Sequence, residues 1–206
     1  ASETAFRVRH GGASLGVFRT AMAGTHNVKN ALAAMAIAAE VGVDPETMRE
    51  GLFAFAGVKR RLEAVGTSRG VTVLDDFAHH PTAVRETLAA VRASHPAARI
   101  WAVFEPRSAT ACRRVFQEAF TASFASADEV IIAQVYRAQL PDAERLSPER
   151  LVEDLAAAGR RARFVPEVSD IVGLLAREVQ DGDIVVVMSN GGFGGIHEKL
   201  LAALQH

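Results

Sequence analysis

Two carboxylates and two imidazoles stand side by side in Val71-Thr-Val-Leu-Asp-Asp-Phe-Ala-His-His-Pro-Thr82. Carboxylates accept hydrogen bonds from hydroxyls and amides, and imidazoles carry protons near neutral pH. Val71 to Leu74 reads as a short buried strand of β-branched and apolar residues. Pro81 suits the first turn of the helix that follows. Polar groups at the carboxyl end of a buried strand, before a helix, sit where open α/β sheets bind ligands. Read alone, Asp75 to His80 would serve equally as a cap facing water. A second polar strand end, Met188-Ser-Asn-Gly-Gly-Phe-Gly-Gly-Ile-His197, favours the ligand site.

Two further stretches carry chemistry. Gly57-Val-Lys-Arg-Arg-Leu-Glu63 sets three basic residues at a hinge, where a guanidinium fork can meet phosphate. Gly24-Thr-His-Asn-Val-Lys-Asn30 opens an alanine-rich helix. Thr25 or Asn27 serves as its N-cap. Asn30 shares a face with Asn27 but has no capping duty. Small alanines on several faces predict that this helix is buried on all sides.

The elements that must position these residues follow a clear order. Phe6 to His10 and Ala13 to Phe18 alternate around Gly11-Gly12, which predicts a hairpin in need of a sheet. Helices follow over 24–40 and 45–55, the second with Asp44 as N-cap. Strands are expected at 62–65, 71–74, 99–104, 129–133, 161–165 and 183–188. Helices are expected over 81–94, 109–125, 147–158, 167–179 and 196–205. This alternation predicts an α/β, Rossmann-like, mostly parallel sheet with helices on both faces. Ligand contacts should gather at Asp75 to His80, Glu105 to Ser108, Gln134 to Arg137 and Ser189 to Gly195.

Composition excludes several classes. Of 206 residues, 23 are basic and 24 acidic, with no basic block, so nucleic-acid binding has no electrostatic footprint. One cysteine, Cys112, cannot form an internal disulfide and fits a reducing compartment. No apolar run approaches membrane-spanning length and no signal-peptide pattern is present, so a cytoplasmic protein is expected. The glycines after the last strand do not fit a dinucleotide fingerprint. His79 and His80 are adjacent and point apart, which argues against metal hydrolysis. No Gly-x-Ser-x-Gly stands at a strand–helix elbow.

Taken in order, Gly24 to Asn30, Gly57 to Glu63, Asp75 to Thr82 and Phe104-Glu-Pro-Arg-Ser108 resemble the Mur ligase family of ATP-dependent, amide-forming ligases of bacterial cell-wall synthesis. The stretch Met188 to His197 is similar to one branch of it. That branch joins the murein tripeptide L-Ala-γ-D-Glu-meso-diaminopimelate to UDP-N-acetylmuramate in peptidoglycan recycling. A ligase acting on L-alanine is the neighbouring alternative, and a non-catalytic nucleotide- or peptide-binding module is the third. The family has a UDP-sugar domain, a central ATPase domain and a C-terminal Rossmann-like domain. The resemblance thus implies that residues 1–57 are the tail of the ATPase domain and 58–206 the C-terminal domain. The protein's own N-terminal and central domains would be its partners. No Gly-x-x-x-x-Gly-Lys-Ser/Thr occurs and the first residue is not methionine, so a truncated piece, inactive alone, is expected.

The resemblance also implies roles. Asn30 and His26 would contact adenine, with Asn27 and His79 also in the nucleotide site. Arg61 would be catalytic at the phosphates, and Asp76 would hold ribose hydroxyls. Magnesium would accompany ATP on ligands mostly upstream of this chain. Arg107, Ser189, Asn190, Phe193 and Gly194 would meet the incoming tripeptide, with Phe193 as a pocket wall rather than packing against the last helix. Where relatives often carry Asn after the Arg-Ser pair, this chain has Ala109.

Overall fold

Residues 3–136 and 140–205 are described by a computed structural model. Two compact units divide the chain, Ala1–Lys59 and Arg60–His206. In the first, β1 (Thr4–His10) and β2 (Ala13–Thr20) form an antiparallel pair that closes on Gly11 and Gly12, both at positive φ. Helix α1 (Thr25–Glu40) and helix α2 (Pro45–Ala54) follow. Asp44 accepts from the N–H groups of Glu46 and Thr47, so α2 begins where its N-cap predicts. Arg49 on α2 donates to the Val17 and Leu15 carbonyls and lies 4.9 Å over the Phe18 ring, fastening the helix to β2.

The core of this unit is small: Val8, Phe18, Met35 and Met48. Helix α1 departs from its expected burial, since only Asn27 and Met35 are buried along it. Alanine permits close packing but does not compel it, and Ile37 on the same helix is 68% exposed. The N-cap is Gly24, not Thr25 or Asn27. Asn27 instead turns back to donate to the Ala23 carbonyl at 2.7 Å. The string Gly12-Ala-Ser-Leu-Gly16 lies in this hairpin, far from any nucleophile elbow.

The second unit is a six-stranded sheet in the order β3-β4-β8-β5-β6-β7. Its strands are β3 (Glu63–Ser68), β4 (Val71–Asp76), β5 (Ile100–Phe104), β6 (Glu129–Ile132), β7 (Arg161–Phe164) and β8 (Ile184–Met188). Only β3 runs antiparallel to its neighbour. The period-2 alternation of strands divides the core in two. Leu74, Ala102, Phe104, Ile132 and Met188 face α3 (Pro81–Ser94), α4 (Gln117–Ser123) and α5 (Pro148–Ala157). Val73, Trp101, Val103, Ile131 and Val187 face α6 (Val168–Glu178) and α7 (Ile196–Ala203). A mostly parallel sheet covered on both faces is therefore the observed architecture.

One expected element is shorter than its sequence suggests. The stretch 109–125 yields a helix only at Gln117–Ser123, after a 3-10 turn at Arg114–Phe116. Ser108 Oγ accepts the Ala111 N–H at 2.9 Å, closing a separate turn, and Arg113 is extended at φ −98°. The Arg114 N–H then reaches the Glu144 carbonyl across the loop at 2.7 Å instead of an intrahelical partner.

At the amino end of the sheet, Asp183 joins β8 to β5. It accepts from Arg99 Nε at 3.1 Å and Nη2 at 2.6 Å, Trp101 Nε1 at 3.0 Å and the Gln180 N–H at 2.9 Å. Burial opposes its charge, but these donors outweigh it and hold the carboxyl below its ordinary value. A depressed carboxyl stabilises the fold fully above its unfolded pKa and loses that contribution as pH falls through the folded value. Asp183→Asn should therefore cost about 2 kcal/mol at neutral pH. The gap from wild type should close below about pH 4, as read by urea unfolding followed by circular dichroism. A gap that persists at low pH would assign the loss to shape rather than charge.

Candidate functional site

Helix α3 leaves β4 toward one face of the sheet and α7 leaves β8 toward the other. Since β8 lies between β4 and β5, a crevice opens at the carboxyl ends of these three strands. Of the four expected ligand segments, those after β4, β5 and β8 meet there. Gln134, Val135 and Tyr136 follow β6 beside them, whereas Arg137 lies outside the described residues.

Arg60 organises the crevice. Its Nε donates to Asp75 Oδ2 at 3.0 Å, and its Nη2 donates to the carbonyls of Ser189 at 2.6 Å and Gly191 at 2.9 Å. The guanidinium also lies over the Phe77 ring at 5.2 Å. Arg60 and Leu62 both adopt positive φ, at 60° and 50°, a conformation costing about 1–2 kcal/mol in a residue with a Cβ. Three hydrogen bonds hold that turn. The Arg60 N–H donates to Glu63 Oε2, the Leu62 N–H to Asp76 Oδ2, and the Phe77 N–H to the Arg60 carbonyl.

The two adjacent aspartates have different environments. Asp75 Oδ1 lies 3.3 Å from His197 Nε2 on α7, off the angle of a hydrogen bond. Burial works against its charge, yet His197 and Arg60 prevail and keep the carboxyl below its ordinary value. Asp76 is 3% exposed, and burial pushes its carboxyl up against the pull of its donors and of the Arg61 charge. Oδ1 accepts from the Ala78 N–H and Thr87 Oγ, and Oδ2 from the Leu62 N–H. Both its oxygens are engaged inside the fold, where they fix the turn that carries Arg61.

On the opposite wall, Ser189 Oγ donates to Glu105 Oε2 and accepts the Gly191 N–H at 2.9 Å. Arg107 lies against this loop, its Nη1 3.5 Å from Glu105 Oε1. Asn190 has a buried Oδ1 with no hydrogen-bond partner among the described residues. Phe193 corrects its expected role: at 1% exposure it packs with Ile196 and Leu200 in the core under α7, so it is no pocket wall. Phe193, Gly194 and Gly195 all take positive φ, and a Cβ on Gly194 would stand 3.2 Å from Val168 Cγ2. Gly194 thus serves the bend into α7, and a valine there would strain the backbone.

The remaining predicted residues are dispersed. Arg61 is exposed, without an ion pair among the described residues. His79 is half-buried, with Nδ1 2.8 Å from the Phe77 carbonyl. In the first unit His26 is half-buried, Asn27 buried and Asn30 exposed one turn along α1. Sequence reasoning placed Arg60, Tyr136 and His197 inside its candidate stretches but singled out none of them. An unpaired second carboxylate at Asp75 was the available signal for Arg60, and the single tyrosine in a suspected ligand segment was the signal for Tyr136.

The family model for the Mur ligase, glutamate ligase domain matches residues 60–191. The chain belongs to the Mur ligase family. Among Mur ligases, it is 40% identical over 194 residues to UDP-N-acetylmuramate–L-alanyl-gamma-D-glutamyl-meso-2,6-diaminoheptandioate ligase of Escherichia coli, covering 94% of this chain and 40% of that protein. It is 37% identical over 191 residues to UDP-N-acetylmuramate–L-alanine ligase of Desulfitobacterium hafniense, covering 92% and 42%. The crystal structure of a murein peptide ligase from Psychrobacter arcticus superposes with a TM-score of 0.73 at 35% identity, covering 98% of this chain and 42% of that one. The chain therefore spans about two fifths of the length of these Mur ligases.

Within this Mur ligase domain, Arg60→Ala should remove the partner of a mostly buried carboxylate and two carbonyls. Arg60 itself is 30% exposed, so a loss of about 2 kcal/mol is expected rather than the full penalty of a broken buried pair. Arg60→Lys, which keeps charge without the fork, should fall between. Urea unfolding followed by fluorescence of the buried Trp101 measures both, and an alanine variant as stable as wild type would remove Arg60 from its central place.

Proposed function

We propose that this chain is the C-terminal portion of an ATP-dependent ligase that joins a murein tripeptide to UDP-N-acetylmuramate in peptidoglycan recycling. The observation that carries the reading is the crevice itself: an exposed cation, Arg61, just before β3 and a pre-placed guanidinium, Arg107, just after β5, in a Mur ligase domain. In this reading ATP supplies a phosphoryl group to the muramate carboxylate, and the amine of the incoming peptide attacks the acyl phosphate, expelling phosphate. Arg61, carried on the turn that Asp76 and Arg60 hold, takes the phosphate oxygens. In the first unit, Asn30 and His26 face the adenine, with Asn27 fixed behind them. His79 stands on the nucleotide side of the β4 end.

Arg107, with Ser189 and Asn190, receives a carboxylate of the incoming peptide. Gly194 shapes the bend behind them. Among the described residues no cluster of His, Cys, Asp or Glu could hold a metal ion, and the magnesium the family implies would be held mostly by residues upstream of this chain. No helix of the described residues is long and apolar enough to cross a membrane, and a reaction using ATP and a nucleotide sugar fits the cytoplasm. The rest of the protein would supply the P-loop, and residues 1–57 would complete that ATPase domain. The same relatives favour one second reading, in which the amine is free L-alanine, because a ligase of that name matches at 37%.

The complete protein, given ATP and UDP-N-acetylmuramate, should release ADP at least a hundredfold more efficiently with the tripeptide than with L-alanine. The opposite order would assign the alanine reaction, and silence with both amines would refute the ligase reading. Arg61→Ala should lower kcat by roughly 100- to 1000-fold, the effect typical of losing one preorganised charge contact. The 206 residues alone should show no turnover.

A further inference from the structure

The Arg107 guanidinium is crowded by two neighbours, Tyr136 and Gly191. Its Cζ lies 3.6 Å from the centroid of the Tyr136 ring. A Cβ built on Gly191 would fall 2.1 Å from Arg107 Nε and 2.5 Å from Cζ, so the arginine occupies the space that any larger residue would fill. Gly191 is in turn fixed by its carbonyl on Arg60 and its N–H on Ser189 Oγ. The Tyr136 N–H donates to the Pro106 carbonyl at 3.0 Å, which ties the ring to the residue next to Arg107.

Core packing does not explain the tyrosine, because it is 58% exposed. Glu105, the only hydrogen-bond partner of Arg107 among the described residues, touches Nη1 at 3.5 Å and has its other oxygen on Ser189. One edge of the guanidinium therefore remains open, and a planar fork of N–H donors matches a carboxylate.

We propose that Tyr136 and Gly191 clamp Arg107 in a single orientation so that its open edge binds a carboxylate of the incoming amine substrate, Tyr136 being a positioning residue for specificity. The inference rests on the ligase function proposed above. An arginine that is stacked before binding loses less freedom when the substrate arrives, so the clamp acts on affinity for the amine and not on the nucleotide.

Steady-state kinetics of the complete protein test it with the tripeptide that the ligase reading names. Tyr136→Leu should raise KM for the tripeptide about tenfold, equivalent to about 1.4 kcal/mol and in keeping with a partly desolvated cation–π contact. KM for ATP should stay within twofold. Tyr136→Phe, which keeps the ring, should restore a wild-type KM. In an Arg107→Ala background, Tyr136→Leu should add less than twofold. An unchanged KM in Tyr136→Leu, equal damage in Tyr136→Phe, or the same tenfold loss without Arg107 would each overturn the clamp while the ligase reading stands. A parallel rise in KM for ATP would reduce Tyr136 to a structural part and also overturn it. A wild-type protein that turns over no amine would overturn both.

Discussion

A single guanidinium joins three segments of the chain. Arg60 sits at the start of the second unit, yet it bonds Asp75 at the end of β4 and two carbonyls just after β8. Asp75 in turn faces His197 on the last helix. None of these groups could be buried without the others, since carbonyls and carboxylates removed from water require donors. Because Arg60 is charged and forked, it satisfies three acceptors at once, and its left-handed backbone is the local cost of reaching them. The shape of the crevice follows from that arrangement.

The sheet makes the crevice available. Helices that leave β4 and β8 on opposite faces part the chain above β8, so the gap is a product of topology before any side chain enters it. Into this gap the alternation of each strand delivers a buried apolar layer below and polar termini above. Asp76 illustrates how the termini serve the backbone: its burial is unfavourable to charge, but three donors converge on it and lock the neighbouring turn. Arg61 remains exposed because Leu62 and Arg60 on either side of it are held.

Much of the fold was legible because the second unit alternates short apolar strands with helical stretches, and α3 spans Pro81–Ser94, the range its sequence predicts. The burial of α1 was not legible: alanine content reports what a helix tolerates, while its neighbours decide what is covered. The region after Phe104 misled because helix-forming residues there bond across a loop that sequence does not reveal. In the site, the strand ends were readable as a group, but the division of labour among adjacent residues was not. Arg60 and Arg61 carry the same side chain, and a positive φ turns one inward and leaves the other in water. Phe193 looked available because glycines surround it, and those same glycines let the backbone fold it into the core.

The close approach of Gly191 to Arg107 has a consequence for how such a site can change over generations. A side chain at position 191 displaces the arginine, and a shorter residue at position 107 leaves a gap between the loop and the Tyr136 ring. A new acceptor chemistry would need both positions to alter together, and each single step passes through a disordered wall. The three residues are thereby coupled by packing although they lie as far apart in the chain as 107 and 191.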